Sequence, residues 1–132
     1  MNSDLAMTTR IVILLSSAIE ALTGVALIAA PVVVGRLLLG VELPGSGIAV
    51  ARVAGFALLA LGVGCWPGGD AATGQSIRAL FIYNLLAGIF LGYLRVGGGF
   101  SGYLLWPASV LHVILALLLV RPALTTLQAA AR

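Results

Sequence analysis

Residues 11–30 read IVILLSSAIEALTGVALIAA, an apolar run in which Glu20 is the one charged side chain. A helix rises about 1.5 Å per residue and the hydrocarbon core of a bilayer is about 30 Å thick, so this run nearly spans a membrane. The apolar region of a signal peptide is shorter, and only one arginine precedes the run. We therefore interpret the run as a membrane helix.

Three further apolar runs of similar length follow, at residues 48–66, 77–94 and 104–120. Helices are favoured because a backbone in lipid must satisfy its own hydrogen bonds, and the runs are too long for barrel strands. Glycine and proline residues, which favour turns, separate the runs. The sequence predicts an all-α protein, an integral membrane four-helix bundle in a single domain, with short tails at residues 1–10 and 121–132.

The segment between the first two runs, residues 31–40, reads PVVVGRLLLG. Pro31 lacks a backbone N–H, so it either begins a new helical turn or kinks the existing helix. We expect a continued or interfacial helix here, from which Arg36 reaches water.

The composition agrees with a membrane location, since 61% of residues are apolar and 8% are charged. Charge this sparse cannot cover a soluble domain, and disordered chains have the opposite composition. The net charge of +3 comes from scattered arginines rather than from a basic patch, which argues against nucleic acid as a partner. The expected partner is the lipid bilayer.

Four crossings put both termini on one side of the membrane. Arginines favour the cytoplasmic side. The side of the termini would hold Arg10, Arg78, Arg121 and Arg132, and the other side Arg36, Arg95 and Arg52. This bias predicts an inner (plasma) membrane protein with cytoplasmic termini, and dual topology stays open.

Three polar residues fall at one depth if the helices alternate in direction. Measured from the side of the termini, Glu20 lies about 13 Å deep, Asn84 about 10 Å and His112 about 12 Å. Ionisable groups inside a membrane are costly and usually functional. The sequence predicts a polar layer in the interior of the bundle, with Glu20 and His112 as a candidate proton-exchanging pair.

Small residues repeat at four-residue spacing beside these polar residues, which is typical of closely packed membrane helices. The candidate packing residues are Gly24, Gly55, Gly88 and Gly92. Glu20 and Asn84 are each followed four residues later by glycine, and two hairpins in parallel repetition would explain this match. The polar side chains then face the interior of the bundle.

Each polar residue also has a purely structural interpretation. Asn84 is then a link between helices, and His112 an interior histidine with satisfied hydrogen bonds. Arg52 either extends to the interface or pairs with Glu42, with Glu20, with an anionic lipid or with a partner protein. The sequence contains no metal-binding motif, and the single cysteine, Cys65, cannot form an intrachain disulfide.

Two resemblances add to this interpretation. The segment Ala18 to Glu20 through Gly24 to Pro31, together with residues 51–55, resembles small four-helix bacterial membrane proteins of the DoxX-like kind. That resemblance implies a subunit linked to quinone-dependent oxidoreductases. The same first helix is similar to that of small multidrug resistance exporters, which implies proton exchange at Glu20. The chain lacks the matching aromatic residues of those exporters in its middle helices.

Three functions follow as expectations. The first is a non-enzymatic accessory or structural subunit that assembles with itself, as a homo-oligomer, or with a larger membrane complex. The second is a proton-coupled carrier that works as a dimer through Glu20. The third is an intramembrane enzyme or a quinone-linked membrane subunit that uses His112, Glu20 and Arg52. Only the third requires a cofactor, and we expect none otherwise.

Overall fold

A computed structural model describes residues 3–68 and 74–130 of the chain. These residues form five helices and no strand. In chain order the helices are α1 (Ser3–Ala29), α2 (Pro31–Leu39), α3 (Gly45–Gly64), α4 (Gly74–Val96) and α5 (Leu105–Ala130). The four longer helices are each long and apolar enough to cross a membrane, so the predicted all-α four-helix membrane bundle is confirmed.

The helices extend beyond the apolar runs at several ends. Helix α1 begins eight residues before the predicted start at residue 11, and α5 runs ten residues past the predicted end at residue 120. Helix α5 thus includes residues 121–130, which were expected to follow the membrane span as part of a short tail. Arg121 ends the apolar run without ending the helix, and Pro122 lies inside α5. Hydropathy indicates which part of a helix can lie in the hydrocarbon core. Helix propensity determines how far the helix continues beyond that part.

Pro31 begins the new helix α2, which was one of the two outcomes expected for this segment. The chain leaves helical geometry at Ala30, with φ −139° and ψ 56°. Helix α2 ends at Gly40, whose φ of 75° lies in the left-handed region that glycine adopts at no steric cost. Arg36 is exposed near the end of α2 and forms an ion pair with Glu42.

The four long helices associate as two antiparallel hairpins. Helix α1 packs mainly against α3, and α4 mainly against α5. We call these pairs the first and the second hairpin, in chain order. Their pairing agrees with the hairpins that the sequence match between the first and third runs indicated. Helix α1 joins the two hairpins because it also contacts α4 and α5.

The two halves of the bundle are packed differently. An apolar core fills the half nearer the termini, where Ile13, Leu80 and Leu119 have no exposed surface. In the other half, α2 packs against α1, α3 and α5. The backbone N–H of Leu104 donates to the Leu37 carbonyl at 2.9 Å, and that of Ser101 donates to the Leu39 carbonyl at 3.3 Å. These bonds tie α2 to the segment that leads into α5.

Candidate functional site

The structure brings Glu20, Asn84 and His112 together where the two hairpins meet. All three are buried, with exposed fractions of 1%, 0% and 8%. His112 Nδ1 lies 2.8 Å from Asn84 Oδ1 and 3.7 Å from Glu20 Oε1. The predicted polar layer is therefore a contact between α1, α4 and α5.

Asn84 is the centre of the hydrogen-bond network. Its amide nitrogen donates to the hydroxyl of Ser16 at 2.8 Å and to the Leu80 carbonyl at 2.8 Å. Its amide oxygen faces His112. One side chain thus connects the two hairpins, through Ser16 on α1, and also connects the two helices of the second hairpin.

Glu20 has an incomplete set of partners. The hydroxyl of Tyr83 shares a hydrogen bond with its carboxyl group. The other carboxyl oxygen, Oε1, is buried and has no hydrogen-bond partner among the described residues. An unsatisfied buried carboxyl oxygen is costly, and such groups in membrane helices are usually kept for a function.

Tyr83 is the residue of this cluster that sequence reasoning missed. Besides its bond to Glu20, its ring meets the ring of His112 edge to face, with centroids 5.7 Å apart and planes at 82°. The sequence feature that could have identified Tyr83 is its position directly before Asn84, at the depth of Glu20. We define Ser16, Glu20, Tyr83, Asn84 and His112 as the polar cluster.

A cavity of about 680 Å³ lies between the two hairpins, next to the polar cluster. We call it the central cavity. Its lining is almost wholly apolar, and α2 contributes Val34, Leu37 and Leu38 to it. Tyr83, His112 and Thr23 are the polar side chains in the lining. The central cavity therefore combines apolar walls with a few polar groups.

The central cavity is partly open at its side. Leu86 and Phe90 of α4 belong to its lining, yet they are 61% and 58% exposed. Leu58 of α3 lies in the lining as well, and α3 makes almost no contact with α4. The opening consequently faces the surroundings of the bundle, which for membrane-spanning helices is lipid.

Arg52 lies apart from the other three candidate residues. It is exposed on α3 and does not line the central cavity. In the described part of the chain, Glu42 pairs with Arg36 and Glu20 bonds to Tyr83. The two acids proposed as partners of Arg52 thus contact other side chains, and the role of Arg52 stays a prediction.

The candidate packing glycines lie in the contacts within the hairpins. A Cβ atom at Gly24 would lie 2.7 Å from the Gly55 carbonyl oxygen, and one at Gly55 would lie 2.8 Å from that of Gly24. In the second hairpin, Gly88 faces Val113, and Gly92 faces the Ser109 hydroxyl. Ser109 also donates to the Gly88 carbonyl at 2.9 Å.

Within residues 3–68 and 74–130, no three His, Cys, Asp or Glu side chains are grouped as a metal site requires. Comparisons with models of protein families, with curated proteins and with solved structures find no match to this chain. The fold and the site define the class of protein: a multi-pass membrane protein with a buried polar cluster beside an intramembrane cavity.

Proposed function

We propose that this membrane protein binds a lipophilic small molecule in the central cavity, with the polar part of the ligand at the Tyr83 and His112 end. The observation that carries the proposal is the central cavity itself, because tightly packed structural bundles leave few such spaces. Its 680 Å³ lies within the range of about 300–1,000 Å³ that is usual for ligand pockets.

The lining agrees with a ligand taken from the membrane. Apolar side chains surround most of the space, and the polar groups are few, as in sites that fix the orientation of an otherwise apolar ligand. The lateral opening beside Leu86 and Phe90 gives such a ligand a path from lipid. The quinone-linked role expected as one alternative is a special case, since a quinone has an apolar tail and a polar ring.

A substitution that fills the central cavity tests this proposal. Ala108 lines the cavity and Ala57 is exposed on α3 outside it, so Ala108→Phe and Ala57→Phe add the same side chain at contrasting places. Each variant is isolated in polymer discs cut directly from the membrane, and the lipophilic molecules retained are measured by mass spectrometry.

We expect one species enriched over bulk lipid in the wild type and in Ala57→Phe. Ala108→Phe should reduce its amount about tenfold, the effect of losing about 1.4 kcal/mol of binding. Equal retention of every lipophile by wild type and Ala108→Phe would refute the proposal.

A second candidate function is proton-coupled transport through Glu20. The observation that favours it is the buried Oε1 atom of Glu20, which lacks a hydrogen-bond partner among the described residues and lies 3.7 Å from His112 Nδ1. Glu20→Gln keeps the shape of the side chain and an acceptor for Tyr83 but cannot exchange a proton. Proton-driven uptake into vesicles should be lost while the amount of folded protein is retained, and unchanged uptake would exclude this role.

The accessory role stays a prediction. The lipid-facing surface is broadly apolar, as any membrane protein requires, so this surface favours neither a homo-oligomer nor a larger complex. The inner membrane and the cytoplasmic termini likewise rest on the arginine distribution alone. Recovery of a stable oligomer in mild detergent would support assembly, and recovery of monomer alone would count against it.

A further inference from the structure

We propose that the central cavity selects lipophiles whose polar end donates a hydrogen bond, such as a phenol or a quinol, over those that end in a carbonyl or an ether. This inference rests on the proposed function and specifies the chemistry of the ligand. It follows from the direction of the hydrogen bonds in the polar cluster.

The Leu80 carbonyl fixes the orientation of the Asn84 amide. One of its two polar atoms lies 2.8 Å from the Leu80 carbonyl oxygen, which can only accept a hydrogen bond. That atom must therefore be the amide nitrogen, because an amide oxygen there would place two acceptors against each other. The same nitrogen has its second partner in the Ser16 hydroxyl.

The orientation of the Asn84 amide in turn determines which nitrogen of His112 carries the proton. With the Asn84 nitrogen committed to Leu80 and Ser16, the Asn84 oxygen faces His112 Nδ1 at 2.8 Å. An amide oxygen only accepts, so Nδ1 carries the hydrogen and donates it. In a neutral imidazole the other nitrogen, Nε2, then has a free lone pair and is an acceptor. A neutral ring is the form that costs least at membrane depth.

The other polar side chains in the lining of the central cavity are those of Tyr83 and Thr23. The Tyr83 hydroxyl shares a hydrogen bond with the Glu20 carboxyl group, and either of the two can carry the proton, so Tyr83 does not fix the direction of a bond to the ligand. The Thr23 hydroxyl rotates and can donate or accept, so it does not discriminate between ligands. His112 Nε2 is therefore the group in the lining that requires a donor from the ligand.

The energetic consequence is a preference rather than an absolute requirement. A hydroxyl on the ligand satisfies His112 Nε2, whereas a carbonyl or ether oxygen at the same place meets another acceptor and leaves both unpaired. A site whose polar groups hydrogen-bond a ligand hydroxyl has a much lower affinity for analogues that lack the hydroxyl. A purely apolar site, which distinguishes ligands only by size, discriminates far less. We expect at least about a tenfold difference in affinity.

The test compares 4-nonylphenol with its methyl ether, 4-nonylanisole, which has the same tail and ring but no donor. Equilibrium binding of each probe is measured on the full chain in lipid nanodiscs, and binding to protein-free nanodiscs is subtracted to remove simple partition into lipid. His112→Phe keeps an aromatic ring and removes both nitrogens. Ala108→Phe and Ala57→Phe report whether binding occurs in the central cavity.

The expected result is tighter binding of the phenol by about tenfold or more in the wild type and in Ala57→Phe, with a ratio near one in His112→Phe. The ratio in the wild type decides the inference even if His112→Phe fails to fold. Equal affinities that Ala108→Phe abolishes would overturn the inference and leave the proposed function standing. A preference for the ether would overturn the inference too, because Nε2 would then be a donor.

Failure of the proposed function has a different result. Binding of both probes that Ala108→Phe leaves unchanged, or no binding beyond that of empty nanodiscs, would overturn both the cavity as a binding site and the inference about its selectivity. An annular lipid site on the outer surface would give the first of these outcomes.

Discussion

At the scale of single residues, Asn84 is the side chain that connects the two hairpins in the interior of the protein. It bonds to Ser16 in the first hairpin and faces His112 within the second, and it has no exposed surface. In hydrocarbon, groups that lose such a partner have no water to replace it. Asn84 therefore holds together the two parts of the bundle that enclose the central cavity.

We expect Asn84→Ala to lower the free energy of unfolding by about 1–3 kcal/mol, because it leaves Ser16 and His112 without their partner. The measurement is reversible unfolding by SDS in mixed micelles, followed by circular dichroism. Ser109→Ala is the matched control: it removes one buried hydrogen bond, from Ser109 to the Gly88 carbonyl, and should cost about 0.6 kcal/mol. Equal losses in the two variants would contradict the central place of Asn84.

The sequence predicted the proximity of Glu20, Asn84 and His112 because the rise per residue of a helix converts sequence position into membrane depth. Three polar side chains that face the interior of a small bundle at one depth must lie close together. Tyr83 was missed because a tyrosine in an apolar run is also compatible with a lipid-facing position. Only the rotation of α4 about its axis decides that Tyr83 faces Glu20. That rotation is set by packing, which a single sequence does not contain.

At the scale of helices, the hairpins depend on close backbone contact at glycine. A Cβ atom at Gly24 would lie 2.6 Å from the Leu59 backbone nitrogen and 2.7 Å from the Gly55 carbonyl oxygen. Backbone atoms cannot move aside as flexible side chains do. The approach of α1 and α3 therefore requires glycine at this position.

Gly24→Ala should accordingly destabilise the protein by about 1–3 kcal/mol, the usual cost of overpacking. Gly64→Ala is its control, since a Cβ atom at Gly64 has no heavy atom within 4 Å, and its effect should stay within about 0.5 kcal/mol. Unfolding in SDS measures both variants. A neutral Gly24→Ala would mean that α1 and α3 lie farther apart than described.

The four spans could be predicted from sequence, whereas the extent of α5 and the separate helix α2 could be predicted only in part. Length and hydropathy determine which segments cross a membrane, but they say little about where a helix ends in water. Pro31 left two outcomes open, and the packing of Leu37 and Leu38 against the central cavity favours the separate helix. These contacts join segments far apart in the chain, so no local pattern contains them.

At the scale of the whole molecule, the protein is divided into a packed half and an open half. The half near the termini contains the buried residues Ile13, Leu80 and Leu119, and the other half contains the central cavity, which α2 helps to line. The polar cluster lies beside the cavity where the hairpins meet. The position of the polar cluster depends on the distance between the two hairpins, which the composition of the individual helices does not determine.

The most direct test of this account uses the single histidine of the chain. Because the ring of His112 contacts Asn84 and Tyr83 of α4, lies near Glu20 of α1 and lines the central cavity, it reports on the whole arrangement. The measurement is solid-state nitrogen NMR of the protein in bilayers with ¹⁵N-labelled histidine, before and after addition of 4-nonylphenol. Ala108→Phe is the control for occupation of the cavity.

The account predicts a neutral ring with the proton on Nδ1, and a shift of the Nε2 resonance on addition of 4-nonylphenol that is absent in Ala108→Phe. A proton on Nε2, a doubly protonated ring, or an Nε2 resonance that does not shift on addition of 4-nonylphenol would contradict this prediction.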